Sequence, residues 1–125
     1  GSEREKIMED CIFCKIIKGD IPSELVYSDE FVVAIRDIHP VAPVHVLILP
    51  RKHFANLSEL AEAESDDTRD ILAAVARAAK KIAELEGIAD KGYRLINNCG
   101  QDAGQTVMHL HFHLIGGKTL GEKLI

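Results

Sequence analysis

His109-Leu110-His111-Phe112-His113-Leu114-Ile115 alternates polar and apolar residues with a period of two. Successive side chains of a β-strand point to opposite faces of its sheet. As a strand, this run puts three imidazoles on one face and Leu110, Phe112 and Leu114 on the other. The apolar face can enter a core while the imidazoles line a cleft. The chain has six histidines in 125 residues, and three of them fall in this run of alternation. Chance clustering explains that poorly.

Outward from this run, Met108 to Ile115 is expected as one strand and Tyr93 to Asn97 as another. The Gly-containing loop Cys99-Gly100-Gln101-Asp102-Ala103-Gly104 joins them. Val44 to Leu49 reads as a buried strand closed by Pro50. Leu25 to Tyr27 and Phe31 to Arg36 read as a hairpin turned at Ser28-Asp29-Glu30. His39-Pro40-Val41-Ala42-Pro43 is a stiff loop, because each proline fixes its own φ and biases its predecessor toward extended geometry. Between Ser65 and Glu86, apolar residues recur at Ile71, Val75, Ala78, Ile82 and Leu85. These steps of three and four predict one long helix, N-capped by Ser65, Asp66 or Asp67 and ended by Gly87. Phe13 to Lys18 fits a short helix stopped by Gly19. Together these elements predict an α+β fold: an antiparallel sheet of about five strands packed with one long helix and a short N-terminal helix. Residues 1–10 are expected as a flexible arm or the end of an interface helix, with Gly1-Ser2 a cloning remnant. Residues 11–125 are expected as a single domain.

Composition narrows the function. Hydrophobic residues at 46% and charged residues at 28% are ordinary for a globular chain. The net charge of -5 repels a nucleic-acid backbone. No apolar run approaches the roughly 20 residues of a membrane span and no signal-peptide core opens the chain, so a cytoplasmic protein is expected. Three cysteines, two of them in Cys11-Ile12-Phe13-Cys14, suggest a metal or a reactive site before a disulfide in a reducing compartment.

Three readings of the histidine run compete. One is a solvated strand face, and another is a catalytic metal site built from imidazoles two residues apart. The third is nucleophilic catalysis, in which a neutral imidazole attacks phosphorus while a hydrogen bond to its other nitrogen fixes the tautomer. Gly104-Gln105-Thr106-Val107, just upstream, favours the third. It offers backbone N–H groups, an amide and a hydroxyl, neutral donors that can hold phosphate oxygens during transfer.

The chain resembles the histidine triad (HIT) superfamily, whose signature is His-x-His-x-His followed by two apolar residues. The likeness covers nearly the whole chain. It includes Cys11 to Ile17 with Gly19 to Ser23, Asp37-Ile38-His39-Pro40, His45 to His53, Asn98 and Gly104 to Val107. It is nearest to the Hint branch, the purine nucleoside phosphoramidases, whose short C-terminal tail it shares. Longer tails are commoner in the dinucleoside polyphosphate hydrolase branch, the alternative within the superfamily. Uridylyltransferase relatives carry glutamine in place of the third histidine, here His113.

The resemblance implies that His111 is the nucleophile, transiently nucleotidylated. It implies that His113 lines the phosphate site and assists leaving-group protonation, and that His45 supports the triad from a neighbouring strand. Asn98, Gln105 and Thr106, with the N–H near Gly104, would hold the α-phosphate, Thr106 standing where serine is commoner. Asp37 would accept from the ribose hydroxyls. Ile12, Phe13, Ile16, Ile21, Ile35, Ile38 and Leu47 would form an apolar slot for the purine of a nucleoside monophosphate. Without the family those residues read as plain core, and Asp37 as a turn residue. A homodimer is also implied; the net charge and the short apolar runs already lead to the expectation of no nucleic-acid or membrane partner.

Cys-x-x-Cys supplies two of the four ligands zinc requires. Zinc-containing relatives complete the set with the positions of His53 and His109, so the resemblance implies a structural Zn²⁺ on Cys11, Cys14, His53 and His109. His111 and His113 then remain for a two-step displacement that needs no catalytic metal. A buried reduced pair and a redox dithiol are the other readings of the cysteines. A metal-dependent hydrolase and a non-catalytic nucleotide-binding module are the rival functions.

Overall fold

Five strands, β1 (Leu25–Ser28), β2 (Val32–Arg36), β3 (Val44–Pro50), β4 (Tyr93–Ile96) and β5 (Phe112–Gly116), form one sheet in the computed structural model. Their order is β1-β2-β3-β5-β4, every pair antiparallel. The structure describes residues 2–124. Gly1 and Ile125, counted in the expected arm and domain, lie outside them. Among the described residues there are also four α-helices, α1 (Glu3–Asp10), α2 (Ile12–Lys18), α3 (Leu57–Ala61) and α4 (Asp67–Leu85), and a 3₁₀ turn at Gln101–Ala103. This is the expected α+β architecture. Among the described residues, no helix is long and apolar enough to cross a membrane.

The main core lies between one sheet face and α4. Ile71, Ala74, Val75, Ala78, Ala79, Ile82 and Ala83 of α4 are buried against Val32, Ala34, Val44, Val46, Ile48, Leu110, Phe112 and Leu114. Each fully buried large aliphatic side chain contributes about 1.5–3 kcal/mol over leaving it in water. Leu85, expected on this face, is 57% exposed. At 3.6 residues per turn the buried stripe drifts through Ala79 and Ala83, and Leu85 falls off it. On the other sheet face a smaller core forms from Phe13 of α2 with Val33, Ile35, Leu47 and Leu49. Gly19 adopts the left-handed conformation that closes α2.

Three local expectations change. Residues 3–10 are helical, which among the two expectations for this stretch, a flexible arm or the end of an interface helix, sides with a helix. Ser2 caps α1 with its hydroxyl and Glu5 reciprocates, so a residue set aside as a cloning remnant serves as the N-cap. α3 went unforeseen because it is a single short turn, capped by Asn56 through the Glu59 N–H. β5 begins at Phe112, not at 108, and its lead-in is satisfied outside the ladder. Leu110 N–H donates to Phe54 C=O at 2.7 Å and Asn97 Nδ2 donates to His111 C=O at 3.0 Å. Pro50, which ends β3, has no N–H to offer a longer ladder.

Asp29 organises the β1–β2 turn. Its Oδ1 accepts from the Phe31 and Val32 N–H groups, both at 2.8 Å, and its Oδ2 from Tyr27 Oη at 2.7 Å. Burial opposes its ionisation, but these donors and Arg51 outweigh burial and hold the carboxyl below its usual value. A depressed folded value stabilises above the unfolded value and loses that stability as pH falls through the folded one. Asp29→Ala is expected to cost about 1–3 kcal/mol in urea unfolding at neutral pH. The gap to wild type should narrow below about pH 4; a pH-independent gap would contradict the carboxylate's role.

Candidate active site

The β3–β5 register places the histidines. Leu47 pairs with His113 and His45 with Ile115, so His45 and His113 are diagonal neighbours on the sheet face away from α4. His45 Nε2 and His113 Nδ1 lie 2.9 Å apart. The His111 and His113 rings are 5.3 Å apart, and Phe13 meets the edges of both His111 and His109. The expected split of the run holds beyond the ladder: Leu110, Phe112 and Leu114 enter the α4 core while the three imidazoles stay on the opposite side.

Each ring's partner fixes where its proton sits. His111 Nδ1 lies 2.7 Å from its acceptor, the His109 C=O, so Nδ1 carries the hydrogen and Nε2 the lone pair. His109 Nε2 faces the Pro50 C=O at 2.9 Å, so its Nδ1 is the lone-pair nitrogen. His45 is the reverse of His111. Its Nδ1 accepts the Val41 backbone N–H at 3.1 Å, leaving the hydrogen on Nε2. That hydrogen points to His113 Nδ1, with Asp37 Oδ2 a second acceptor at 3.3 Å. His113 therefore keeps its own proton on Nε2. No described side-chain nitrogen or oxygen is both buried and without a partner. His111 Nε2 has no hydrogen bond and so remains open to solvent.

Two groups of donors come close enough to hold an ion. Cys11 Sγ and His109 Nδ1 are 3.4 Å apart, Cys14 Sγ and His53 Nδ1 3.3 Å, Cys14 Sγ and His109 Nδ1 3.6 Å, and the two Nδ1 atoms 3.1 Å. Zinc at its usual Zn–S and Zn–N distances implies tetrahedral edges of about 3.3–3.8 Å; the three sulfur–nitrogen separations lie in this range and the nitrogen–nitrogen one is slightly shorter. Burial drives the His109 ring down to about 4 and lowers His53 as well, so both rings are neutral with free lone pairs at neutral pH. Burial, with the adjacent Cys11, pushes the Cys14 thiol up to about 12. A second buried thiolate here therefore requires a cation. Cys11, Cys14, His53 and His109 can hold a metal ion.

The second group, Asp37, His45 and His113, fails the same test. His45 already accepts at Nδ1, so a lone pair on Nε2 would require an imidazolate. This pair is a hydrogen-bonded device and not a ligand set, which weighs against a catalytic metal.

Of the residues expected at the phosphate, Gln105 is differently employed. It is buried, its Nε2 donates to the Ala55 and Val107 carbonyls, and its Oε1 accepts the Gly100 N–H. The Gly104 and Gln105 N–H groups are engaged by the Gln101 and Gly100 carbonyls. Gln105 thus shapes the loop, and the uncommitted donors are the exposed Thr106 hydroxyl and the Asn98 amide. Within the expected slot, Phe13, Ile35 and Leu47 pack with Ile16. Ile16, Ile21 and Ile35 also line an open depression of about 300 Å³. Ile12 and Ile38 belong to neither group and are 47% and 84% exposed, Ile38 in the loop after Asp37. A larger hollow of about 690 Å³ lies by the C-terminal end of α4 and touches none of the histidines.

Four participants carried no signal in the sequence: the Val41 N–H, the Pro50 C=O, Asn97 and Arg4. Arg4 donates to the His53 C=O at 2.8 Å, tying α1 to the cysteine–histidine cluster. Backbone groups have no side-chain identity to read, and Arg4 belongs to a segment without pattern.

The HIT domain family model matches residues 18–120. The purine nucleoside phosphoramidase of Escherichia coli K12 is 46% identical over 93% of this chain and 94% of its own length. A HIT family hydrolase from Clostridium thermocellum superposes with a TM-score of 0.86 at 55% identity, covering 94% of this chain and 98% of that one. A histidine triad protein from Clostridium difficile gives 0.84 at 45% identity over 92% and 96%. By sequence, fold and the arrangement of its histidines, the chain belongs to the HIT domain family.

Proposed function

We propose that this HIT-family hydrolase cleaves purine nucleoside 5′-phosphoramidates through a nucleotidyl intermediate on His111. One observation carries the reading: His111 presents an open Nε2 lone pair while its Nδ1–H is held by the His109 carbonyl. The similarity to a purine nucleoside phosphoramidase supports the substrate class. In the first step the Nε2 lone pair forms a bond to phosphorus and the P–N bond breaks. The amine leaves with the bonding pair and takes a proton from water at the cleft mouth. The His109 carbonyl stabilises the positive charge that develops on the His111 ring. In the second step water attacks phosphorus, the P–Nε2 bond breaks, and the lone pair returns to Nε2 as the monophosphate departs; the proton that this water sheds neutralises the hydroxide left by the first step, so one water is consumed overall.

His113, with its Nε2–H, and the free donors of Thr106 and Asn98 hold the phosphoryl oxygens. Gln105 and the turn at Gly104 shape that loop from behind. Asp37 receives the ribose hydroxyls. The cluster of Phe13, Ile16, Ile21, Ile35 and Leu47 receives the purine, with Ile12 and Ile38 at its exposed edges. Replacing His111 by asparagine keeps a polar side chain at the site, so folding should persist and nucleotide affinity should change by no more than about tenfold. Turnover of an adenosine phosphoramidate should fall by at least about a thousandfold. Near-normal turnover would exclude His111 as the nucleophile.

The cysteine–histidine cluster holds zinc as a structural ion in this reading. Bound zinc replaces the Cys14 proton, neutralises two thiolates and ties α2 to the β3 end and the β5 lead-in. Such a thiolate site suits a reducing, cytoplasmic setting. Protein purified without chelator should contain about one zinc per chain. Cys14→Ser should lose the metal and about 3 kcal/mol or more of stability. Elemental analysis finding no metal in the wild type would exclude the site.

The chain also pairs with itself. β4 is a sheet edge with Tyr93 and Leu95 exposed, and Leu72 and Leu85 of α4 add further exposed apolar surface. Light scattering should give a mass near twice 13.8 kDa, and Leu95→Arg should shift it toward the monomer. A wild type that stays monomeric at every concentration would refute the pairing.

A further inference from the structure

The pair His45–His113 has a direction, and a backbone group outside the histidine run sets it. The Val41 N–H lies 3.1 Å from His45 Nδ1. A second proton on that nitrogen would put two donors face to face. His45 is thereby limited to one proton, on Nε2, where both His113 Nδ1 at 2.9 Å and Asp37 Oδ2 at 3.3 Å accept. A proton on His113 Nδ1 would meet the same conflict one bond further on. The N–H of His45 therefore sits on Nε2, and His113, accepting at Nδ1, donates from Nε2.

The loop that carries Val41 is built for this. Asp37 Oδ1 accepts the His39 N–H at 2.7 Å, and the Asp37 N–H donates to the His45 C=O at 3.0 Å. Pro40 and Pro43 stiffen the segment between. The Val41 side chain is 60% exposed, so its backbone amide is the part the site uses.

We infer that the Val41 backbone N–H is a positioning group that makes His113 a permanent hydrogen-bond donor to a phosphoryl oxygen, not an acid that surrenders its proton. This replaces the leaving-group protonation expected of His113 with stabilisation of charge on the transferring phosphoryl group. A neutral ring whose one proton is already directed outward would become an imidazolate on giving it up. The catalytic part of this inference rests on the phosphoramidase reading; the proton arrangement does not.

The test replaces Val41 by its α-hydroxy acid, which turns the N–H into an ester oxygen without changing the side chain. Val41→Ala, which keeps the N–H, is the control. In the intact protein, ring ¹⁵N NMR at neutral pH should show His45 and His113 each protonated at Nε2 only, and Val41→Ala should match. The ester should let His45 carry a hydrogen at Nδ1, the nitrogen that the Val41 N–H no longer faces. Turnover should fall about tenfold or more, with KM nearly unchanged. His113→Gln, which restores an N–H donor but no acid, should exceed His113→Ala by about tenfold or more in turnover. A wild-type His113 protonated at Nδ1, ring signals unmoved by the ester, or glutamine no better than alanine would each overturn the inference. The NMR result stands apart from catalysis, so a failure of the His111 mechanism would appear separately, as retained turnover in His111→Asn.

Discussion

The antiparallel register between β3 and β5 is the constraint on which the site depends. With Leu47 opposite His113, His45 reaches His113 diagonally, and the Pro50 carbonyl at the far end of β3 meets the His109 ring. A slip of one residue would turn the imidazoles into the α4 core and bring Leu110, Phe112 and Leu114 into the cleft. The apolar half of the run makes such a slip costly. Core burial on one face therefore aligns chemistry on the other.

Crowding imidazoles against a sheet would ordinarily set unlike and like groups at odds. The fold resolves this by giving three of the rings a backbone partner of fixed sign, carbonyls for His109 and His111 and an amide for His45, which in turn directs His113. The rings are then arranged so that the lone pairs of His109 and His111 and the N–H of His113 point to different tasks. Burial reinforces the pattern, because it lowers the affinity of His109, His53 and His113 for a second proton.

The two ends of the histidine run serve different neighbourhoods. His109 joins Cys11 at the α1–α2 junction, Cys14 in the first turn of α2 and His53 in the loop after β3. His113 joins His45 and the loop that follows Asp37. His111 stands between them with its reactive nitrogen free. Gln105 braces its loop by binding the Gly100 and Val107 backbone groups within it and the Ala55 carbonyl outside it. A polar residue next to a site is here a buried scaffold, while the exposed Thr106 keeps its hydroxyl available.

Much of this was legible in the residues themselves. Period-two alternation over 109–115, the three-and-four spacing of Ile71, Val75, Ala78 and Ile82, and the proline and glycine punctuation identify a sheet, a long helix and their order. Side-chain chemistry is local, so histidine alternation and Cys-x-x-Cys could be read as candidate functions before any contact was known. What tertiary structure alone decided was partnership. The proton on each ring depends on the Val41 amide and on the His109 and Pro50 carbonyls, whose positions follow from φ, ψ and strand register. The exposure of Leu85 and Ile38, the buried duty of Gln105 and the helix at residues 3–10 likewise depend on what lies opposite in space. Sequence determined which groups were present; long-range packing determined which of them face one another, because a hydrogen bond is made by distance and direction and not by identity.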